Sequence, residues 1–157
     1  MRHKKVAKRQ IEGDRVHQNL MVAKFINYLM KSGKKTVAEN TLYTAFDVLF
    51  KKNQEPLSLF EQAIQNVGPT QEVKPRRVGG ASYQIPTEVR GERKNSIAIR
   101  WIIQAAKARP SKEFHHFSEK LAVEIMDAAN NQGEAVKKRD AVHRMAQANR
   151  AFPHFKW

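Results

Sequence analysis

Apolar residues recur at helical spacing along most of this chain, and the pattern breaks once. From about 18 to 32, Val22, Phe25, Ile26, Leu29 and Met30 follow the i, i+3, i+4, i+7, i+8 rhythm of a helix with one buried face. The same rhythm predicts a second helix over about 35–52, through Ala38, Leu42, Ala45, Phe46, Leu49 and Phe50. Pro56 opens a third over about 57–67, carrying Leu57, Phe60, Ile64 and Val67, and Gly68-Pro69 closes it. A fourth runs over about 91–108 through Ile99, Ile102, Ile103 and Ala106, with Trp101 beside the stripe and Pro110 as the stop. A fifth over about 113–130 uses Phe114, Phe117, Leu121, Ile125 and Ala128; after Gly133 a sixth over about 134–150 uses Ala135, Val142, Met145 and Ala146.

The break is residues 71–90. Val73, Val78, Tyr83, Ile85 and Val89 favour strands, and Gly79-Gly80 offers the positive φ angles of a tight turn. Pro75 and Pro86 donate no ladder bond, which suits an isolated ribbon and not a central sheet. A lone hairpin is marginal in water, so this one needs support from the body or from a partner. The expectation is a mainly α fold: a six-helix bundle-like domain with a protruding two-stranded β-hairpin and basic N-terminal and C-terminal extensions. Residues 1–157 then form a single domain: a basic arm (1–17), helices one to three (18–70), the ribbon (71–90), helices four to six (91–150) and a tail (151–157).

Charge narrows the function. The 157 residues carry 29 lysines and arginines against 15 acids, so the net charge is 29 − 15 = +14, which points to a polyanionic partner. Zero cysteine excludes a disulfide framework, Cys-ligated zinc, an iron–sulfur cluster and a thiol nucleophile. No apolar run approaches the roughly 20 residues of a membrane span, and the charged start MRHKKVAKRQ is unlike a secretory signal. Residues 1–17 and 137–157 are strongly basic. Residues 113–134 are acidic, with Glu113, Glu119, Glu124, Asp127 and Glu134 against Lys120, which suggests a second face turned elsewhere.

Catalysis finds no support. Gly33-Lys34-Lys35-Thr36 lacks the earlier glycine of a phosphate loop (Tyr28 is there) and has Lys35 where Ser or Thr must follow the lysine. The six histidines, His3, His17, His115, His116, His143 and His154, form no helical i, i+4 pair and no metal-site spacing. The reading is of a non-enzyme with no cofactor and no metal. Nucleic-acid binding fits better. Arg93, Arg100 and Lys107 repeat every seven residues on one face of helix four; Arg139, His143, Gln147 and Arg150 line helix six, with Lys137 and Arg144 in a neighbouring stripe. Lys74, Arg76, Arg77 and Tyr83 equip the ribbon to touch phosphates and stack on bases. Any one stripe reads equally well as a solvated helix face; their accumulation favours nucleic acid.

The runs EVKPRRVGGASYQIPTEVR, IRWIIQAA and AVKKRDAVHRMAQANRAFPHFKW, with AKFINYLMKSGKKTVAE near the front, resemble the bacterial-type small-subunit ribosomal protein number seven family over about residues 20–157. The resemblance implies a structural constituent of the small ribosomal subunit that binds the 3′ major domain of its RNA and nucleates assembly of the head. It implies a ribbon and C-terminal region near the exit-site tRNA and the mRNA exit channel, and small-subunit proteins nine and eleven as neighbours. It extends to repression of the protein's own messenger RNA, seen in some members, and to a ribosome of the cytoplasm or of an organelle, with no membrane partner. Carried over by position, the rRNA contacts are Arg2, Lys4, Lys5, Lys8 and Arg9 on the arm, Lys34 and Lys35, Arg76 and Arg77, Arg93, Lys94, Arg100 and Trp101, and Lys137, Lys138, Arg139 and Arg144. Trp101 reads equally well as core. The tRNA and mRNA path is assigned to Tyr83, His143, Arg150, Lys156 and Trp157, with Gly79 and Gly80 as backbone hinges at the ribbon tip.

The chain departs from the family at Pro75, commonly serine, at Gly91, commonly proline, and at Gly13-Asp14, commonly proline-aspartate, which leaves the path of the arm open. A DNA-binding helical regulator and a protein scaffold using acidic helix five are the other classes the residues allow.

Overall fold

Phe25, Phe46 and Phe60 come from three different predicted helices and meet in one cluster, with edge-on ring pairs 5.3 and 5.6 Å apart. Around them a computed structural model describes residues 11–52, 55–78 and 80–151. Six helices occur there: α1 (Leu20–Leu29), α2 (Lys35–Phe50), α3 (Pro56–Val67), α4 (Gly91–Ala108), α5 (Phe117–Ala129) and α6 (Glu134–Ala148). Between α3 and α4 stand β1 (Gln71–Val78) and β2 (Ala81–Glu88), paired antiparallel. The mainly helical fold with one hairpin is the one the periodicity predicts.

One buried cluster takes residues from all six helices. Its hub is α5, which packs against α2, α3, α4 and α6. Fully burying a side chain the size of Phe60 is worth roughly 1.5–3 kcal/mol, so three such rings weigh heavily in a chain this small. The predicted stripes hold with three exceptions, the first being Phe114, which lies ahead of α5 and outside any helix. Phe50 ends α2 and is 71 % exposed, and Met145 on α6 is 49 % exposed. Phe50 lies past the last buried residue of α2, Leu49, whereas Met145 is exposed beside the buried Ala146.

Local chemistry sets the ends. Asn19 caps α1 by accepting the Met21 and Val22 N–H groups at 2.7 and 3.4 Å, so the helix starts at Leu20 and not at 18. Pro56 occupies the first turn of α3, where its missing N–H costs nothing. Helix five begins at Phe117, four residues later than predicted, because the linker after Pro110 is tied down: Lys120 Nζ donates to the Arg109 carbonyl and the Ser111 hydroxyl at 2.8 and 2.9 Å. Glu119 then reaches back to accept the His116 N–H at 3.3 Å. Gly133 precedes α6 at φ +91, and a Cβ there would sit 3.0 Å from the Glu124 carboxylate.

The end of the arm is not free. Asp14 is 4 % exposed and accepts the Val16 and His17 N–H groups at 3.2 and 3.1 Å and the Tyr43 hydroxyl at 2.5 Å. Burial pushes the Asp14 carboxyl up, but the Tyr43 hydroxyl and the neighbouring N–H groups more than offset it and hold it below the usual aspartate value. Burial and the facing carboxylate push the Tyr43 phenol up. Asp14, and His17 through its ring contacts with Tyr43 and Phe46, are thus held against α2.

Candidate nucleic-acid interface

The ribbon is bolted to the body at its base. In its register Arg76 faces Tyr83, Arg77 faces Ser82 and Lys74 faces Ile85. Ile85 and Val89 are buried, and both strands pack against α6, which is the support a lone hairpin needs. Arg93 of α4 grips Glu72 of β1 with two bonds, Nε to Oε1 at 2.9 Å and Nη2 to Oε2 at 2.6 Å. Lys74 Nζ lies 3.2 Å from the same carboxylate. Arg93 and then Lys74 hold the Glu72 carboxyl below its ordinary value against the opposing pull of burial. On α6, His143 Nε2 accepts the Thr70 N–H at 3.1 Å, so the neutral ring carries its proton on Nδ1. Burial, then Arg139, lowers the His143 pKa. Pro75 and Pro86 fall in a two-stranded ribbon, where every strand is an edge.

The basic stripes divide into exposed and internal members. On α4, Arg93, Arg100 and Lys107 are exposed opposite the buried Ile99, Ile102, Ile103 and Ala106. Arg100 gives its Nε to the Ser96 carbonyl at 3.1 Å. Lys94 lays its methylene stem against Gly68. On α6, Arg139 is a brace: it donates to the Asn66 carbonyl at 2.6 Å, to Asn131 at 3.2 Å and to Asp140 at 2.8 Å. Lys137 and Arg144 of the neighbouring stripe are exposed, and so is Lys138. Lys137 pairs with Glu134 at 2.6 Å, which raises its pKa. Lys138 donates to Gln104 at 2.6 Å and stands 5.9 Å from the centroid of the Trp101 ring. Trp101 itself is half-buried against the core, so it is both wall and core edge.

The other assigned residues lie on separate elements. Lys34 and Lys35 are exposed at the α1–α2 turn, Lys35 lying 3.8 Å from Glu39. Arg76 and Arg77 are exposed on β1, Tyr83 is half-buried on β2, and Gly80 turns the tip at φ +88 with open space around it. His143 and Arg150 border a cavity of about 510 Å³ between α6 and the ribbon base, with Thr70, Thr87 and Glu88 opposite. Arg2, Lys4, Lys5, Lys8, Arg9, Gly79, Lys156 and Trp157 lie outside the described residues.

Two features had no sequence signal. Lys31 and Lys107 join Lys34 around an apolar groove of about 340 Å³ floored by Leu29, Val37 and Phe117. Glu72 organises the ribbon base, yet its partner is 21 residues away. The acidic segment also differs from expectation. Glu124 has no exposed surface and accepts from Arg109 Nε at 2.8 Å, while Arg109 Nη2 donates to Asp127. Glu124 Oε1 further accepts the Ala135 N–H at 3.2 Å. Burial pulls the Arg109 pKa down, but its bonds to Asp127 and Glu124 outweigh that and leave it raised. Two of the acids are thus internal fasteners and not an outward acidic face.

Among the described residues no group of three or more His, Cys, Asp or Glu side chains is placed to hold a metal, and no helix is long and apolar enough to cross a membrane. The family model for ribosomal protein S7p/S5e matches residues 1–150. A chain from Syntrophus aciditrophicus named small ribosomal subunit protein uS7 is 53 % identical over 157 residues, covering 99 % of each chain. Proteins of the same name from Thermotoga neapolitana and Afipia carboxidovorans are 51 % identical over 158 residues and 52 % over 151, the first covering 100 % of both chains, the second 96 % of this one and 95 % of its own.

Proposed function

Because the chain belongs to the ribosomal protein S7p/S5e family, a structural family of the small subunit and not an enzyme family, we propose that it binds the 3′ major domain of small-subunit ribosomal RNA and nucleates assembly of the head. The observation that carries this reading is the bolted base of the ribbon. Glu72 to Arg93 and Thr70 to His143 fix the basic ribbon to two basic helices, so cations on three elements keep a set spacing without RNA present. A preset spacing of charge can pin separate RNA helices together, because the ordering cost is met during folding.

In this reading Lys34, Lys35, Arg76, Arg77, Arg100, Lys137, Lys138 and Arg144 neutralise phosphates, and the arm residues Arg2, Lys4, Lys5, Lys8 and Arg9 extend the contact. Arg93, Lys94 and Arg139 act first as braces and only then on RNA. The ribbon tip, with Gly79, Gly80 and Tyr83, and the C-terminal His143, Arg150, Lys156 and Trp157 meet the exit-site tRNA and the mRNA path. Residues 1–157 act as one domain beside small-subunit proteins nine and eleven, on a ribosome of the cytoplasm or an organelle. Repression of the protein's own messenger RNA uses the same surface.

The test is binding of the full chain to a folded 3′ major-domain fragment across a salt series, with duplex DNA and unrelated structured RNA as competitors. The expected result is tight binding that survives both competitors. Replacing Arg76 and Arg77 together by alanine should leave the helical circular dichroism unchanged and flatten the log K against log salt plot by roughly 0.7–0.9 per lost phosphate contact. Equal loss to all competitors sinks the site-specific reading; an unchanged slope in the double variant removes the ribbon from the interface.

A further inference from the structure

A cleft of about 320 Å³ opens where β1, α4 and α6 meet. Its floor is apolar, made by Val73, Ile97, Val142 and the indole of Trp101. Its rim is Arg93, Arg100 and Gln104. Lys138 Nζ lies 2.6 Å from Gln104 Oε1, and an ammonium can only donate. One lone pair of the Gln104 oxygen is therefore held by an ammonium, and the amide keeps its NH2 group to donate. Arg100 has Nε on the Ser96 carbonyl and Arg93 has Nε and Nη2 on Glu72, so their remaining groups are also N–H donors. The one carboxylate at the cleft, Glu72, has Arg93 on both oxygens and Lys74 beside Oε1. The rim thus offers donors around an apolar, partly aromatic floor.

We infer that this cleft receives a single unpaired base of the bound RNA and prefers a base with a carbonyl edge, uracil or guanine, to one with an amino edge. The inference rests on the RNA-binding reading above and adds a base-reading element to it. Unpaired bases are held in proteins by aromatic and aliphatic walls and are read by hydrogen bonds at their edges. A carbonyl oxygen satisfies the donors of the rim, whereas an exocyclic amino group meets donors with a donor. Arg100 on the rim and Lys138, 5.9 Å from the centroid of the Trp101 ring, can take the phosphate of the nucleotide. An aliphatic protein side chain would fill the floor but leave the rim unanswered.

Uracil and cytosine make the sharpest comparison, since they match in size, share O2 and differ only at C4 and N3: a carbonyl and an N–H against an amino group and a bare ring nitrogen. The full chain is titrated with oligouridylate and oligocytidylate of equal length at one salt concentration, beside the Gln104→Glu variant. That substitution replaces the donor by an acceptor at an exposed position, so the fold should survive, as circular dichroism will check. Equal phosphate counts cancel the Coulombic part of affinity. Comparing the two proteins cancels the different self-stacking of the free strands.

The expected result is a uridylate-to-cytidylate affinity ratio that falls by roughly two- to tenfold in Gln104→Glu, the worth of one hydrogen bond. An unchanged ratio, with binding to the 3′ major-domain fragment intact, overturns the cleft and leaves the function standing. Loss of preference for that fragment by the unsubstituted chain overturns the function itself, so the two failures are told apart.

Discussion

Glu124 has no exposed surface, yet both its oxygens have partners: Arg109 Nε sits 2.8 Å from Oε2, and the Ala135 N–H closes on Oε1. A buried pair is a weak source of net stability, but removing one partner strands the other in a low dielectric. Glu124→Ala should therefore cost roughly 3–5 kcal/mol in urea unfolding, because Arg109 loses a partner and the first turn of α6 loses an acceptor. A loss below about 1 kcal/mol would mean that Asp127 alone holds the Arg109 guanidinium and that the α5–α6 corner does not depend on Glu124. Nothing in the sequence marks Glu124 off from Glu119 or Asp127, which share its acidic segment. Only the partner 15 residues upstream separates a fastener from a surface charge. For the same reason Arg139 reads in the sequence like Arg144, though one braces the Asn66 carbonyl and the other is exposed.

At the scale of elements, the ribbon's attachment to α6 carries a pH dependence. His143 is held neutral because Nε2 accepts the Thr70 N–H. Its folded pKa lies below the ordinary 6.5, through burial and then the nearby Arg139, with Asp140 opposing and Lys94 adding to the shift. The unfolded chain thus binds the proton more readily than the folded one. The sign follows: this stabilisation is complete above 6.5 and is lost as pH falls from there through the lowered folded value. Glu88 and Arg150 also border the cavity beside the ring. The Thr70 amide should exchange faster, after correction for intrinsic rate, as pH drops below about 6, while amides in the middle of α5 should not change. Equal behaviour of Thr70 and α5 would show that the histidine bond does not clamp the ribbon. The elements themselves were largely legible, since a helix with one buried face writes its period into the sequence. Their ends were less so: α5 starts at Phe117 because Lys120 and Glu119 satisfy backbone groups ahead of it, and spacing of apolar residues carries no trace of that. The candidate interface was legible as charge and not as roles, because the bonds that tie Arg93 and Arg139 to other elements cross 21 and 73 residues.

For the whole molecule the question is which charge effect dominates, since a net charge of +14 repels itself while ion pairs such as Arg93–Glu72 and Lys24–Glu92 attract. Exposed pairs contribute about 0–1 kcal/mol each and weaken with salt. Repulsion among many like charges on so small a body acts over the Debye length, about 30 Å at 0.01 M and 10 Å at 0.1 M, so moderate salt removes most of it. The fastener Arg109–Glu124 is shielded from salt by burial and should not respond. Repulsion should win: Tm of the free protein should rise between 0.01 and 0.3 M salt, while affinity for RNA falls over the same range. Under the proposed function the opposite slopes have one origin, for the cations that salt quiets in the free protein would be the ones that RNA phosphates neutralise in the complex. A Tm that falls with salt would show that surface pairing outweighs repulsion, and the excess charge would then no longer count as a strain that a polyanion relieves.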